Sequence, residues 1–361
     1  MHEFGHAWAA RRNGVVVEEF GVGFPPRAWS KKLKNKILFS LNWLPLGGFV
    51  KLQGEYDSAK GKGDYGSASY WSKTKILFAG VVMNWAAAVL LFTVLAWIGI
   101  PKILPNQFTV GADTKATKEK VVIVTVLDNH PASQNGIKSG DKLLKANGNE
   151  ISSPEEFVAF TKANKGKEIN LEWSQNGVIT NRNITLSSQG ESGFFGASLG
   201  QGEKRRSTWS GPIVGVGLAV QLSYESFKGV GSLIGNLFGG LFQQFSFNKE
   251  TRTEGSQKLN TLGESVAGPV GILGVIFPAA GKGGIESVLL LSAIISLTLA
   301  VMNTLPIPAL DGGRWFVMTL YKLRKKPLTK EKEEKIHGTG FMFLIGLTII
   351  ITIGDVTKLF K

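Results

Sequence analysis

His2-Glu3-Phe4-Gly5-His6 sets two histidines four positions apart, with a glutamate directly after the first. On a helix those histidines lie about 40° apart around the axis and one turn above each other, so both rings reach a common point. A metal ion held there leaves Glu3 to one side, where a carboxylate can take a proton from water. The spacing is the H-E-x-x-H zinc pattern, which is short enough to arise by chance. Two surface histidines on a frayed terminus are the alternative reading, and the rest of the chain has to separate the two.

The ligand inventory narrows the choice. No cysteine occurs among the 361 residues, which removes thiolate metal sites and disulfides. Any metal must be held by histidine, aspartate or glutamate, and the histidines are His2, His6, His130 and His337. The formal charge is +14. Its lysines and arginines group beside apolar runs, and no nucleic-acid-binding motif accompanies them, so the charge fits membrane topology and speaks against a nucleic-acid partner.

Residues 1–10 read as an apolar helix of about 15 Å, half of a hydrocarbon core of about 30 Å. A metal-binding helix that starts at its first ligand is expected to continue upstream by an apolar segment of about 10–15 residues, which the chain as given lacks. Residues 11–75 are rich in lysine and arginine, which assigns them to the cytoplasm. Within them Ile37, Phe39 and Leu41 alternate with Leu38, Ser40 and Asn42, which reads as a strand, and a membrane-associated β-hairpin is expected over 36–53, turning at Pro45, Gly47 and Gly48. Residues 57–69 read as flexible loop. Residues 76–100 form a transmembrane span that carries Asn84, a polar group that must face protein or a water-filled cavity.

Residues 108–190 change character. Val121–Val126 is a β-branched strand, Ser153, Pro154 and Glu156 start a helix through about Ala163, and Asn176-Gly177 joins two further strands. The order strand, Pro131-Ala132, Gly136-Ile137, Gly140-Asp141-Lys142-Leu143-Leu144, Asn147-Gly148, helix resembles a PDZ domain of the bacterial protease type. His130 belongs to this insert as a loop histidine. Residues 207–245 suggest amphipathic helices on a membrane surface, with a true span as the alternative, and 246–262 read as polar loop. A second span covers 285–310 and runs into Pro306, Pro308, Asp311, Gly312 and Gly313; a basic stretch at 314–335 precedes a last span at 337–353. An even number of spans between the two basic stretches keeps both in the cytoplasm. That favours surface helices at 207–245 and places the PDZ-like insert outside.

A catalytic zinc needs three protein ligands and an open position. His2 and His6 supply two. Asp311 is the best third, since an aspartate at a break in a membrane helix is costly without a partner; simple helix capping is the alternative. Glu3 is then the general base, and Asn84 and Asn303 are candidates to hold substrate backbone or an oxyanion.

Taken together, His2–His6, Pro45-Leu-Gly-Gly-Phe-Val-Lys51, the PDZ-like insert, Gly268-Pro-Val-Gly-Ile272 and Asn303-Thr-Leu-Pro-Ile-Pro-Ala-Leu-Asp-Gly-Gly313 resemble bacterial site-2 proteases, in particular the regulator-of-sigma-E protease branch. The resemblance implies an intramembrane zinc metalloendopeptidase of the bacterial inner membrane. It would cut single-span substrates such as anti-sigma factors after a first protease has trimmed them. It implies His2, His6 and Asp311 as Zn2+ ligands, Glu3 as the catalytic acid–base, a substrate-binding hairpin that includes Gly47 and Gly48, and a PDZ domain that filters substrates by size. Residues 81–83 and Thr298 depart from the family by lacking a proline and an asparagine.

The expected fold is a polytopic α-helical membrane protein of about four spans, the first truncated, with an inserted α+β PDZ-like domain. Its segments are 1–106, the first half of the protease core; 107–200, the PDZ-like domain; 201–284, surface helices and linker; and 285–361, the second half of the core. A membrane-anchored protein that captures extended peptides in its PDZ groove, with an inactive metal site, is the competing function.

Overall fold

The computed structural model describes every residue except 35, 189–192, 245–247, 249, 251, 259–267 and 360–361. It divides into two compact units, one of Met1–Leu95 with Gly211–Lys361, the other of Ala96–Ser210.

The first unit begins with α1 (His2–Arg12), followed by two long strands, β1 (Val17–Lys32) and β2 (Leu38–Leu52), and by α2 (Tyr70–Ile98). Each strand bends midway. Residues 17–22 pair on one side with 48–52 and on the other with 38–41, and 38–42 pair in turn with 27–32. Two strands therefore make four runs, in the order 48–52, 17–22, 38–42, 27–32; the middle pair is parallel and each outer pair antiparallel. The chain turns back between 42 and 48, but the two halves of 36–53 do not pair with each other as a hairpin, because the 17–22 run stands between them. The reversal between Lys32 and Leu38 is the one that joins two directly paired runs. Ser40 is fully buried in an inner run, and 48–52 is an outer one.

Ala7, Ala10, Val15, Val17, Ile76, Leu77 and Met318 form the apolar centre where α1, the sheet and α2 meet. Small residues set the closeness of α1 and α2. A Cβ on Gly5 would stand 2.3 Å from the carbonyl oxygen of Ala79, so only glycine lets the backbones touch.

Helix α5 (Gly211–Gln244) is one continuous helix of 34 residues, where the sequence suggested several amphipathic ones. Its first half packs on α2: a Cβ on Gly215 would meet Thr93 Oγ1 at 2.3 Å, and Val214, Leu218 and Ala219 are buried. The loop expected over 246–262 lies in part outside the described residues. A π-helical turn (Ile272–Ile276) leads into α6 (Phe277–Lys282), followed by α7 (Ile285–Thr304), α8 (Asp311–Leu323) and α9 (Lys330–Leu359). Three described helices are long and apolar enough to cross a membrane: α2, α7 and α9. Asp355, near the end of α9, is buried and accepts a hydrogen bond from the Gly271 amide at 2.7 Å. That contact answers the need for a partner of an acid on an apolar helix.

The second unit is an antiparallel sheet with two helices. Its elements are β3 (Ile100–Pro101), β4 (Lys115–Val126), α3 (Pro131–Gln134), β5 (Lys142–Ala146), β6 (Asn149–Glu150), α4 (Pro154–Ala163), β7 (Glu168–Gln175), β8 (Val178–Thr185) and β9 (Ala197–Arg206). The strand order is β3-β9-β4-β5-β7-β8, with β6 beside β5. Ile123, Leu143, Phe157, Leu171 and Trp173 centre its core. Ser153 caps α4 by accepting from the Glu156 amide at 3.1 Å. Asn176 and Gly177 both take positive φ, as a two-residue hairpin turn requires. His130 accompanies the start of α3, its Nδ1 2.9 Å from the Asp128 carbonyl oxygen. Asp113 accepts hydrogen bonds from Ser210 and Thr208, which hold its carboxyl below the usual carboxylate range.

Two glycines of α9 make the packing testable. A Cβ on Gly340 would fall 2.5 Å from the Pro308 carbonyl oxygen, whereas one on Gly338 meets nothing within 4 Å. Gly340→Ala is expected to destabilise the detergent-solubilised protein by about 1–3 kcal/mol through overpacking. Gly338→Ala should be neutral or stabilising by up to about 1 kcal/mol from helix propensity. Thermal unfolding of both variants checks the contrast, and equal shifts would refute this packing of α9.

Candidate metal centre

Helix α1 lifts the rings of His2 and His6 onto one face, their Nε2 atoms 3.1 Å apart. Asp311 reaches the same point from far down the chain: its Oδ2 lies 3.0 Å from His2 Nε2 and 3.3 Å from His6 Nε2. With one ligand atom from each, these three residues form a cluster suited to a metal ion among the described residues.

The turn that delivers Asp311 is built from the residues that break α7. The helix ends at Thr304, Leu305 is extended, and Ala309 adopts φ 81°. His337 on α9 steadies that unusual backbone, since its Nδ1 accepts from the Ala309 amide at 3.2 Å. The chain then folds back so tightly that a Cβ on Gly312 would lie 2.3 Å from the Thr304 carbonyl oxygen, and one on Gly313 1.9 Å from that of Ile307. Asp311 therefore sits at the start of α8, not within a span. Trp315 Nε1 donates to Thr74 Oγ1 at 3.2 Å, and the Tyr70 and Thr319 hydroxyls are 3.0 Å apart, fixing α8 against α2. Gly80 on α2 makes room for the rings: a Cβ there would lie 2.4 Å from His6 Nε2 and 2.6 Å from His2 Cε1.

The donor set fits zinc. His6 Nδ1 lies 2.8 Å from the Ile76 carbonyl oxygen, to which it donates, so the neutral ring carries its lone pair on Nε2, aimed at the cluster. Asp311 Oδ2 is buried and accepts no hydrogen bond. Lone-pair atoms facing one another at this spacing repel unless a cation lies between them. Ligands at about 2.0–2.1 Å from a tetrahedral zinc are separated by about 3.3 Å, close to the observed edges of 3.0, 3.1 and 3.3 Å.

The cluster opens on a cavity of about 330 Å³ lined by Glu3, Val50, Leu52, Tyr65, Asn303 and Arg314 together with the three cluster residues. Glu3 and Asn303 are thus brought to the cluster. Gly48 backs onto Glu3, whose Cγ would be 3.7 Å from a Cβ at that glycine. Gly47 and Asn84 are not among the lining residues. Asn84 is buried in α2, where its carbonyl accepts from Ser296 Oγ at 2.8 Å. Asn303 Nδ2 donates to the Leu299 carbonyl at 3.0 Å.

Sequence reasoning missed Tyr65 and Arg314. Tyr65 falls in the 57–69 stretch read as flexible loop, yet it is buried in the core. Arg314 follows Asp311 by three positions and so shares its helix face, a signal that was present in the spacing. Its Nη2 donates to the Glu55 carbonyl at 3.0 Å, Glu333 lies 3.6 Å away, and its guanidinium stands 5.6 Å from the Tyr65 ring centre.

Known proteins resemble this chain over nearly its whole length. The Peptidase family M50 matches residues 1–347. A Clostridium perfringens protein carrying a provisional zinc metalloprotease name is 30% identical over 99% of this chain and 94% of its own length. The regulator of sigma-W protease RasP of Bacillus subtilis is 24% identical over all of this chain and 96% of its own. The zinc metalloprotease RasP of Bacillus licheniformis is 25% identical with the same coverage of 100% and 96%. Among solved structures, the PDZ domain of an SdrC-like protein from Listeria monocytogenes aligns with 24% of this chain and 92% of its own, at 24% identity and a TM-score of 0.22. The family match runs unbroken from the paired histidines of α1 past the turn that carries Asp311, and the chain belongs to Peptidase family M50, the zinc metalloproteases of the site-2 type.

Proposed function

We propose that this enzyme cleaves single-span membrane proteins within the bilayer, with His2, His6 and Asp311 holding the zinc and Glu3 moving the proton. The observation that carries the proposal is the triangle of His2, His6 and Asp311 ligand atoms, with Glu3 lining the same cavity. Zinc bound there supplies a Lewis acid that acidifies water and polarises the scissile carbonyl. Glu3 takes the proton from the attacking water and returns it to the leaving amine. Asn303 and the backbone around Gly48 orient the substrate at the cavity wall. Apolar helices around a polar cavity support this division of labour, since hydrolysis needs water and the surrounding bilayer excludes it.

A helical substrate has its backbone groups paired and must unwind before attack. The outer run 48–52, two of whose residues line the cavity, is the edge to which an unwound strand adds. The basic stretches at 11–75 and 314–335 place α1's C-terminal end and α8 toward the cytoplasm, and the Ala96–Ser210 unit outside as a PDZ-type module. The name of RasP as a regulator of sigma-W supports substrates of the anti-sigma-factor kind.

Glu3→Gln should lower cleavage of a model single-span substrate by about 10²–10⁴-fold with zinc content unchanged. Asp311→Asn should lose both zinc and cleavage while the helical content persists. Atomic absorption and a cleavage assay on the purified chain check the pair, and an active Glu3→Gln protein would end the proposal. Val50→Pro, which disrupts the outer run, should slow cleavage by about tenfold or more while zinc is retained; an unchanged rate would remove strand addition from the account.

A further inference from the structure

The face of α1 turned away from the metal ligands is built differently. Phe4, Trp8 and Arg11 recur at helical spacing, and Phe4 and Trp8 are about half exposed at 53% and 52%. Opposite them stand Phe20 of β1 and Phe39 of β2, with Leu33 and Ile37 at the reversal. Together they bound an open apolar cleft of about 640 Å³. One end of the cleft is strongly basic. Arg11 and Arg12 line it, Arg12 stacks over Trp8 at 4.8 Å, and among the described residues neither guanidinium is paired with a carboxylate. Lys31, Lys32, Lys34 and Lys36 surround the same reversal and are exposed.

An apolar slot that ends in unpaired guanidiniums is complementary to an amphiphile with a long tail and an anionic head. Arginine suits phosphate, to which it donates in a bidentate fork. In this chain's proposed topology the basic end of the cleft faces the cytoplasmic leaflet, which contains anionic phospholipid, and a tryptophan beside arginines marks the interface depth. We infer that the cleft between α1 and the β1–β2 sheet binds an anionic phospholipid of the cytoplasmic leaflet, its acyl chain along Phe4, Phe20 and Phe39 and its phosphate between Arg11 and Arg12. The inference rests on the topology proposed above. The lipid would lie on the back of the helix whose front carries His2, Glu3 and His6, and so would steady the metal-bearing face.

The test uses the full chain in phosphatidylcholine nanodiscs containing a minor fraction of phosphatidylglycerol, with co-purifying lipid measured by mass spectrometry after detergent extraction. Wild-type protein should retain phosphatidylglycerol about fivefold or more above its bulk proportion. The Arg11→Gln/Arg12→Gln variant should fall to the bulk proportion. Leu33→Trp, which fills the cleft and leaves the charge alone, should do the same. No enrichment in wild type, or enrichment untouched by Leu33→Trp, overturns the inference, the latter because it would reflect surface charge alone. A photoreactive residue at Phe4 that links to substrate or to a second copy instead of lipid also overturns it. Zinc content and cleavage in phosphatidylcholine alone test the protease reading separately. Because the chain has no native cysteine, labelling of a single Lys32→Cys from the outer side would identify a failure of topology.

Discussion

Three lone-pair atoms, from residues 2, 6 and 311, are held within 3.3 Å of one another, and the rest of the membrane unit is arranged around that contact. Nothing in the polypeptide alone makes it favourable: the atoms repel, and two belong to groups that are costly to bury. Packing imposes it. Gly5 lets α1 lie on α2, Gly80 leaves the hollow for the rings, and Gly312 and Gly313 let the chain fold back after the prolines. Facing lone pairs are relieved by a proton or by a metal cation, and a metal that displaces the proton links its binding to the folding of this unit.

The supporting groups extend the same logic outward. His337 accepts from the strained Ala309 backbone, and Ile76 accepts from His6, so His6 and the turn that carries Asp311 are each oriented by a contact from another helix. Arg314 joins the first turn of α8 to the loop carbonyl of Glu55 and to Glu333 of α9. Lys73 pairs with Asp57 on the same side. Charges that would be expensive in hydrocarbon are thus concentrated in one polar seam beside the cavity, where each has an opposite partner or a carbonyl.

Much of this was legible in the sequence because its signals are local. The i, i+4 histidines, the Ser153 cap, the Asn176-Gly177 turn and the apolar runs of α2 and α7 each depend on neighbours a few residues away. The four-run sheet was not legible. Its inner run contains Glu18 and Glu19, the same strand carries Pro25-Pro26, and the pairing of 17–22 with both halves of β2 is a tertiary fact with no period. The continuity of α5 was not legible either: Gly215 makes room for Thr93, whereas Gly229, Gly231, Gly235 and Gly239 face nothing within 4 Å, and the helix runs through all of them. Tyr65 was hidden by the Gly, Ser and Lys around it.

The choice of an aspartate as the third member of the cluster follows from charge. Asp311 is the first residue of α8, so that helix arrives at the cluster by its N-terminus. It presents the positive end of its dipole, worth about half an elementary charge, to a place where a dication belongs. A third neutral histidine would leave that region strongly positive in a low-dielectric surrounding. An ionised Asp311 offsets that dipole, and Glu3 brings a second carboxylate to the same cavity. With both carboxylates ionised and both rings neutral, a zinc ion brings the set to zero net charge, which is the state a membrane interior tolerates best. In the proposed reading Glu3 answers two demands at once: its charge completes the balance at rest, and its proton affinity serves the chemistry when water attacks the carbonyl.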